Sequence, residues 1–325
     1  MRRIFLRLAP VLHLSRVTTA FAAVGNQWFV ILWTISSRPD EVPPQTYSST
    51  PTWAMLGGAA VVSVALYAFA AILNDTLDLR RDRVLHPLRP LPSGKLNVDA
   101  AILLLILALI AAAAGATLMG QSAVMMTLLT AGAVFFYNAA AKFVPSVGLV
   151  ALSLIYAAHM MIPNVDLRFL WPVWLAMTHA LLVAAVTHRL GDRRPPLSMA
   201  AVVAATLGWA FWSAMLALLG WQRNGGLWPE FVSPLAAALP LALAVAFVFF
   251  AGRKVRRTPN RARATDKVTR YGALWLTLYD TAWLLGAGRY KAAMVLGALT
   301  SAGFLGMTFL RELYAVLEQP LAYRR

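Results

Sequence analysis

Three aspartates and an asparagine follow an apolar run of membrane-spanning length, and their spacing could build a site for a charged ligand. They lie in the stretch NDTLDLRRD, residues 74–82. On a helix, Asp75, Asp78 and Asp82 fall within an arc of roughly 60°, and Asn74 widens it to about 100°. Like charges at this spacing repel, and charge beside a bilayer is costly. A divalent cation with a phosphate-bearing ligand would offset that cost, and Mg²⁺ takes such oxygen ligands.

A basic loop follows the acidic stretch. It reads RVLHPLRPLPSGK over residues 83–95, and its prolines and glycine end the helix and stiffen the loop. We therefore expect Arg89 and Lys95 near the acidic face. A diphosphate bridged by a metal ion would meet fixed positive charge there as well.

The elements that must position these residues are those of a polytopic membrane protein. The chain has 325 residues, of which 60% are hydrophobic and 13% are charged. Ten apolar segments are predicted as helices: 17–35, 52–77, 98–118, 121–141, 146–163, 170–189, 197–220, 231–251, 268–286 and 291–311. One short segment could be re-entrant, so nine or ten spans are expected in a single all-α bundle over residues 1–325. The absence of cysteine excludes disulfides and thiolate metal sites.

The formal net charge of +16 has a membrane explanation and does not indicate a nucleic-acid partner. The charges lie in short loops, and with the N-terminus inside, 24 of the 29 basic residues fall on the inner side. The densest cluster, residues 253–270, is expected against anionic lipid headgroups. We expect a multi-pass protein of the bacterial inner membrane with its N-terminus and active-site loops in the cytoplasm.

The acidic stretch and the loop after it resemble the UbiA superfamily of intramembrane prenyltransferases. The family's first motif, N-D-x-x-D-x-x-x-D followed by R-P-L-P-S-G, corresponds here to LNDTLDLRRD and HPLRPLPSGKL, roughly twenty contiguous residues. Weaker matches are Arg16-Val17-Thr18 with Asn26 in the first span, and Tyr137 with Lys142 at the end of the fourth. The resemblance implies a helical bundle around a central cavity open to lipid. It also implies Mg²⁺-dependent ionisation of a prenyl diphosphate and transfer of the prenyl cation to a lipophilic acceptor.

The resemblance also implies roles for single residues. The expected metal ligands are Asn74, Asp75, Asp78 and Asp82, the three aspartates being catalytic. The expected substrate-binding residues are Asn26, Arg89, Tyr137 and Lys142. Aromatic rings that could face the cation are Trp28, Tyr67, Phe69, Phe135, Phe136 and Tyr137, although packing or an interfacial belt is the more common role of any one such ring.

The chain departs from the family at the second acidic motif, which usually carries two or more carboxylates at the end of the sixth helix. Here the segment HRLGDRR, residues 188–194, retains only Asp192. We expect Asp192 as a weaker metal ligand, with Arg189 and Arg193 holding the diphosphate directly. In the first motif, His86 stands where the family generally has arginine.

Several alternatives stay open. The same scaffold could capture the cation intramolecularly as a terpene cyclase, serve transport, or have lost catalysis. The three aspartates could merely cap a helix end and pair with Arg80, Arg81 and Arg83. Lys142 could be a simple membrane anchor, and Asp192 could form salt bridges with its neighbours. Asp280 could be functional or part of a helix–helix hydrogen bond, and His159 and His179 are expected to be hydrogen-bonded interior residues. The acceptor, the prenyl chain length and the oligomeric state are not specified by the sequence.

Overall fold

The computed structural model describes residues 20–37, 40, 41 and 43–318, which fold into eleven α-helices. They are α1 (Phe21–Ser36), α2 (Thr52–Leu77), α3 (Leu79–Leu85), α4 (Val98–Thr117), α5 (Gln121–Ala139), α6 (Pro145–Met161), α7 (Trp171–Leu190), α8 (Met199–Asn224), α9 (Ala238–Arg256), α10 (Arg261–Gly286) and α11 (Tyr290–Glu318). Within the described residues there is no β-strand, so the predicted all-α class is confirmed.

Each of the ten predicted apolar segments coincides with one long helix, and the short α3 is an addition. In the part of the chain that the structure describes, six helices are long and apolar enough to cross a membrane, namely α2, α4, α5, α7, α8 and α9. Two shorter apolar helices, α1 and α6, lie among them. The fold is therefore that of an integral membrane protein, while the number of spans stays a prediction.

Successive long helices run in alternating directions, so the bundle has two ends. We call the end that carries Asp78, Lys142 and Asp192 the motif end, and the end that carries Glu41 and Arg168 the distal end. Helices α2, α5, α7 and α9 finish at the motif end, whereas α4, α6, α8 and α10 begin there. The residues that the sequence marks for chemistry therefore share one end of the bundle.

Helix α1 lies at the centre of the packing. It contacts α2, α6, α10 and α11. Its Phe29 and Trp33 belong to one buried apolar cluster, whereas its Ile31 belongs to a second cluster with α2, α4 and α5. A single helix thereby joins the two largest apolar clusters of the described residues.

Two glycines bring α2 and α4 together. A Cβ atom on Gly58 would lie 2.6 Å from the carbonyl oxygen of Gly115, and a Cβ atom on Gly115 would lie 2.9 Å from that of Gly58. Small residues permit such close approach between membrane helices. The contact aligns the helix that ends in the acidic stretch with the helix that begins after the basic loop.

At the distal end, the fully buried side chain of Glu41 links α1 to the segment that precedes α7. Its Oε1 accepts hydrogen bonds from Trp33 Nε1 at 3.1 Å and from the Phe169 amide at 3.0 Å. Its Oε2 accepts from the Arg168 amide at 2.9 Å. Burial raises the pKa of Glu41 above its ordinary value, and these hydrogen bonds oppose that effect only partly.

Stability should therefore depend on the ionisation of Glu41. Because the folded pKa is raised above 4.5, the group stabilises the fold fully below that pH and loses this contribution as the pH rises through the folded pKa. Melting temperatures of the wild type and Glu41→Gln, measured from about pH 4 to about pH 7, should show the wild type losing stability relative to the variant. Parallel profiles would mean that Glu41 titrates normally.

The predicted orientation can be tested because the chain has no cysteine of its own. Ser93 and Asn260 at the motif end should face the cytoplasm, whereas Tyr47 and Asn224 at the distal end should face away. Tyr47 is buried and Asn224 is hydrogen-bonded to the Arg168 carbonyl, so the exposed Ser48 and Glu230 are better distal reporters.

Single cysteines at these positions should react differently with a membrane-impermeant maleimide. Positions 48 and 230 should be labelled in intact cells, and positions 93 and 260 only after permeabilisation. Labelling of position 93 in intact cells would reverse the topology.

Candidate active site

The acidic stretch lies across an interruption between two helices. Helix α2 ends at Leu77 and α3 begins at Leu79, so Asp78 lies between them with φ −86° and ψ 4°. This corrects the expectation of one continuous helical face. The Asp78 amide still donates to the Asn74 carbonyl at 2.9 Å, and the Asp82 amide to the Asp78 carbonyl at 2.8 Å. The helical register therefore passes through the break, and the four polar side chains divide into two pairs.

The first pair is Asp75 and Asp82, which share Arg89. Arg89 Nη1 donates to Asp82 Oδ2 at 2.5 Å and lies 3.8 Å from Asp75 Oδ1. The two carboxylate side chains are only 6% and 5% exposed, whereas Arg89 is 35% exposed. A partly solvated guanidinium therefore compensates two buried carboxylates.

The second pair is Asn74 and Asp78, which share Lys142. Lys142 Nζ donates to Asp78 Oδ2 at 2.9 Å and to Asn74 Oδ1 at 3.1 Å. Asn74 Nδ2 in turn donates to Asp75 Oδ1 at 3.2 Å, which connects the two pairs. Lys142 is thus part of the acidic cluster, and its interpretation as a simple membrane anchor is wrong.

The basic loop holds Arg89 in place through its own backbone. Leu91 is buried in a small apolar cluster with Ile72 of α2 and Ala101 of α4. The Ser93 amide donates to the Arg89 carbonyl at 3.0 Å, and Gly94 adopts a φ of 73°, where glycine is favoured. Lys95, which was expected beside the acidic face, is exposed and forms no ion pair in the part of the chain that the structure describes.

Lys142 is positioned by a short 3₁₀ turn, Ala141–Phe143, that joins α5 to α6. Gly148 of α6 packs against this turn, because a Cβ there would lie 3.0 Å from the Ala141 carbonyl oxygen and 3.2 Å from the Lys142 Cα. The close contact fixes the backbone from which the lysine reaches the aspartates.

The arginines next to the motif do not take part in this pairing. Arg80, Arg81 and Arg83 are exposed, and among the described residues no ion pair joins them to the three aspartates. The alternative of a helix end paired with these neighbours is therefore wrong. His86, the departure from the family pattern, is exposed as well.

The second motif forms a turn at the end of α7. His188 Nε2 lies 2.9 Å from the Pro195 carbonyl oxygen, to which it must donate. Asp192 has a φ of 47°, a left-handed conformation that aspartate and asparagine tolerate better than most residues. No salt bridge involves Asp192 within the described ranges, so the alternative of salt bridges with its neighbours is not observed.

A pocket of about 450 Å³ opens beside this turn. It is lined by Val186, Arg189, Leu190, Asp192 and Arg261. Arg261 begins α10. The sequence predicts for it only a position against lipid headgroups, because nothing local indicates that α10 starts beside the end of α7. The structure thus adds a further guanidinium to the second motif.

Tyrosines connect the two motifs. The Tyr137 hydroxyl lies within electrostatic range of both Asp78 and Arg193. Tyr156 of α6 lies near Tyr67 of α2 and near Tyr137. All three side chains are half-buried. Tyr156 is a candidate that the sequence interpretation missed, since only the tertiary packing of α6 brings it to the other two.

The other predicted aromatic candidates have structural positions. Phe69 is buried in the second apolar core, and Trp28 Nε1 donates to the Leu56 carbonyl at 2.9 Å. Phe135 and Phe136 are more than half exposed on α5. For these four residues, core packing or membership of an outward-facing aromatic belt accounts for the position of the side chain.

Asn26 is buried between α1 and α10. With its amide oriented to suit its partners, Nδ2 donates to Asp280 Oδ2 at 2.8 Å and to the Ala22 carbonyl at 3.3 Å. Asp280 is thus part of a helix–helix hydrogen bond. The substrate-binding role of Asn26 stays a prediction, and the segment Arg16-Val17-Thr18 lies outside the described residues.

The two intramembrane histidines are hydrogen-bonded, as expected. Gln27 Nε2 donates to His159 Nε2 at 3.1 Å. His179 Nε2 lies 2.9 Å from the Gly272 carbonyl oxygen and so donates to it, which leaves Nδ1 to accept from the Tyr279 hydroxyl at 3.2 Å.

The acidic cluster suits a hard divalent cation by the chemistry of its donors, which are carboxylate and amide oxygens. Its side chains, however, are turned towards Arg89 and Lys142. No group of three or more aspartate, glutamate or histidine side chains is arranged to hold a metal ion in the residues that the structure describes. Each of the three carboxylates is instead paired through one oxygen with Arg89 or Lys142.

Comparison with known proteins agrees with the motif and the fold. The UbiA prenyltransferase family matches residues 45–268 of the chain. A structure of digeranylgeranylglyceryl phosphate synthase in membranes aligns with 86% of this chain and 98% of its own, at 17% identity and a TM-score of 0.52. The apo structure of a UbiA homologue from Aeropyrum pernix K1 aligns with 79% of this chain and 96% of its own, at 18% identity and a TM-score of 0.53. No curated protein matches the chain in sequence.

Proposed function

Because the chain belongs to the UbiA prenyltransferase family, we propose that it transfers a prenyl group from a prenyl diphosphate to a lipophilic acceptor within the membrane. The observation that carries this proposal is the acidic cluster itself. Three aspartates and Asn74 meet Arg89 and Lys142 at one end of the bundle. Such a site offers both ligands for a cation and donors for a diphosphate.

Asp75, Asp78 and Asp82 would hold a divalent metal ion, Mg²⁺ in this proposal, with Asn74 joining or orienting them. Asp192 would contribute a single carboxylate from the opposite side. When bound, the metal ion supplies Lewis-acid stabilisation of the diphosphate leaving group.

The basic residues would compensate the negative charge of the diphosphate that the metal ion leaves unpaired. Arg89 and Lys142 approach from the first motif, and Arg189 and Arg193 from the second. Arg261 shares the pocket of Arg189 and so joins this second group. Guanidinium groups form bidentate, charge-assisted hydrogen bonds with phosphate and stay protonated at every working pH. They can therefore replace part of the charge that a second metal ion would bring.

The tyrosines Tyr67, Tyr137 and Tyr156 are the proposed wall for the allylic cation. Their aromatic faces are electron-rich and stabilise a cation over the ring. Tyr137 lies near both Asp78 of the first motif and Arg193 of the second, and Tyr156 lies near Tyr67 and Tyr137.

The family's scaffold allows different fates for the cation, and product analysis separates them. Purified protein in nanodiscs should be incubated with Mg²⁺ and prenyl diphosphates of increasing length, with release of inorganic pyrophosphate as the first readout. A conjugate with an added lipophilic acceptor supports transfer, whereas a hydrocarbon or terpene alcohol indicates cyclisation. Binding without pyrophosphate release from any substrate indicates a member without catalysis.

We further propose one domain over residues 1–325, in the bacterial inner membrane with the motif end in the cytoplasm.

The first motif should be essential for turnover. Asp75→Asn and Asp78→Asn each remove a carboxylate from the cluster while keeping its shape. We expect pyrophosphate release to fall by at least about 100-fold in both variants, with melting temperatures that show a folded protein. The matched control is Asp99→Asn, an exposed aspartate in the first turn of α4, which should keep wild-type activity. Full activity of either motif variant contradicts the site assignment.

The second motif should depend more on its arginines than on its aspartate. Arg189→Ala and Arg193→Ala should each raise the apparent KM for the prenyl diphosphate roughly tenfold, and added Mg²⁺ should rescue little, because the lost donors held phosphate directly. Asp192→Asn should do less harm than Asp78→Asn, and asparagine suits the left-handed backbone at that position. Arg263→Ala, at an exposed position in the first turn of α10, is the control. An inactive Asp192→Asn beside silent arginine variants would make Asp192 a genuine second-metal ligand.

A further inference from the structure

We propose that Arg89 and Lys142 are built-in counter-cations of the acidic cluster, which therefore excludes a divalent metal ion alone and admits it only together with a diphosphate. This inference rests on the proposed function. It concerns the order and coupling of ligand binding, which neither the motif nor the family match addresses.

Every acidic member of the cluster already has a cationic partner. Arg89 Nη1 lies 2.5 Å from Asp82 Oδ2 and 3.8 Å from Asp75 Oδ1. Lys142 Nζ lies 2.9 Å from Asp78 Oδ2. Three carboxylates thus share two cations, so the cluster carries a formal charge of only −1. A divalent cation meets far less attraction here than the sequence motif indicates.

Burial makes these pairs hard to separate. The side chains of Asp75 and Asp82 are about 95% buried, and Lys142 is only 13% exposed. Removing one partner of a buried pair leaves an uncompensated charge in a poorly solvated place. A metal ion on Asp75 and Asp82 would also lie beside the guanidinium of Arg89, and like charges at that separation repel. A metal ion without a diphosphate must therefore displace Arg89 from the carboxylates, which costs free energy.

A diphosphate lowers the cost of metal binding, because its oxygens can pair with Arg89 and Lys142 in place of the carboxylates. Arginine and lysine form strong charge-assisted hydrogen bonds with phosphate oxygens. Once Arg89 and Lys142 turn to the diphosphate, the carboxylates are free to bind metal. The two ligands then raise each other's affinity by the same factor, as linkage requires.

The two cations differ in mobility. Arg89 lies on a loop and is 35% exposed. Lys142 is 13% exposed and lies on the turn that packs against Gly148. Arg89 is therefore the partner that moves first, and its substitution should have the larger effect on metal affinity.

The test is direct metal binding without any prenyl substrate. Mn²⁺ binding to purified protein in nanodiscs is followed by electron paramagnetic resonance, at controlled free Mn²⁺, with and without inorganic pyrophosphate. The wild type should bind Mn²⁺ at least tenfold more weakly than Arg89→Gln, and Lys142→Gln should show a smaller gain. Arg89→Lys keeps the charge and should behave like the wild type. Arg83→Gln, an exposed arginine outside the pairing, is the matched control and should not change the affinity.

Pyrophosphate supplies the second arm, which needs only the wild type and so holds even if a variant fails to fold. It should raise the Mn²⁺ affinity of the wild type at least tenfold and that of Arg89→Gln much less. Equal Mn²⁺ affinity of the wild type and Arg89→Gln, or no effect of pyrophosphate on wild-type affinity, overturns the inference and leaves the proposed function standing. Absence of Mn²⁺ binding in every protein, with and without pyrophosphate, overturns both.

Discussion

The constraint on which the site depends is the cost of holding three carboxylates at the edge of a membrane. Asp75 and Asp82 are buried, so their charges need partners within the protein. Arg89 and Lys142 supply them from separate elements, a proline-rich loop and a 3₁₀ turn. The surrounding structure is arranged to bring those two elements to the end of α2.

Packing far from the motif serves this arrangement. The close contact of Gly58 with Gly115 sets α2 beside α4, and the basic loop connects these same two helices. Leu91 then anchors the loop against both. At the start of α6, the absence of a side chain on Gly148 lets α6 pack closely against the turn that carries Lys142. Backbone contacts between small residues thus determine where the two cations lie, since a larger side chain would separate the elements.

Much of this could be predicted from the sequence, because helical spans and the acidic stretch are local patterns. Hydrophobic segments predict the ten long helices, and the spacing of Asp75, Asp78 and Asp82 indicates a shared face. The break at Asp78 could not be predicted, since no proline or glycine marks it. The choice of Arg89 over the nearer Arg80, Arg81 and Arg83 also depends on how the loop folds back. Tyr156 and Arg261 join the site only through packing of α6 and α10, which sequence spacing does not report.

The two sides of the proposed site carry opposite charge, and this difference bears on how many metal ions it needs. The first motif has a formal charge of −1 once Arg89 and Lys142 are counted, whereas Arg189, Arg193 and Arg261 outweigh Asp192 on the second. In the proposed function, a diphosphate between them would meet positive charge from the second motif without any metal ion there. A second carboxylate at that turn would cancel charge that the arginines supply directly. Under the proposed function, the single carboxylate of the second motif and its surrounding arginines have one physical explanation, because fixed guanidinium groups would supply the positive charge that a second metal ion would otherwise bring.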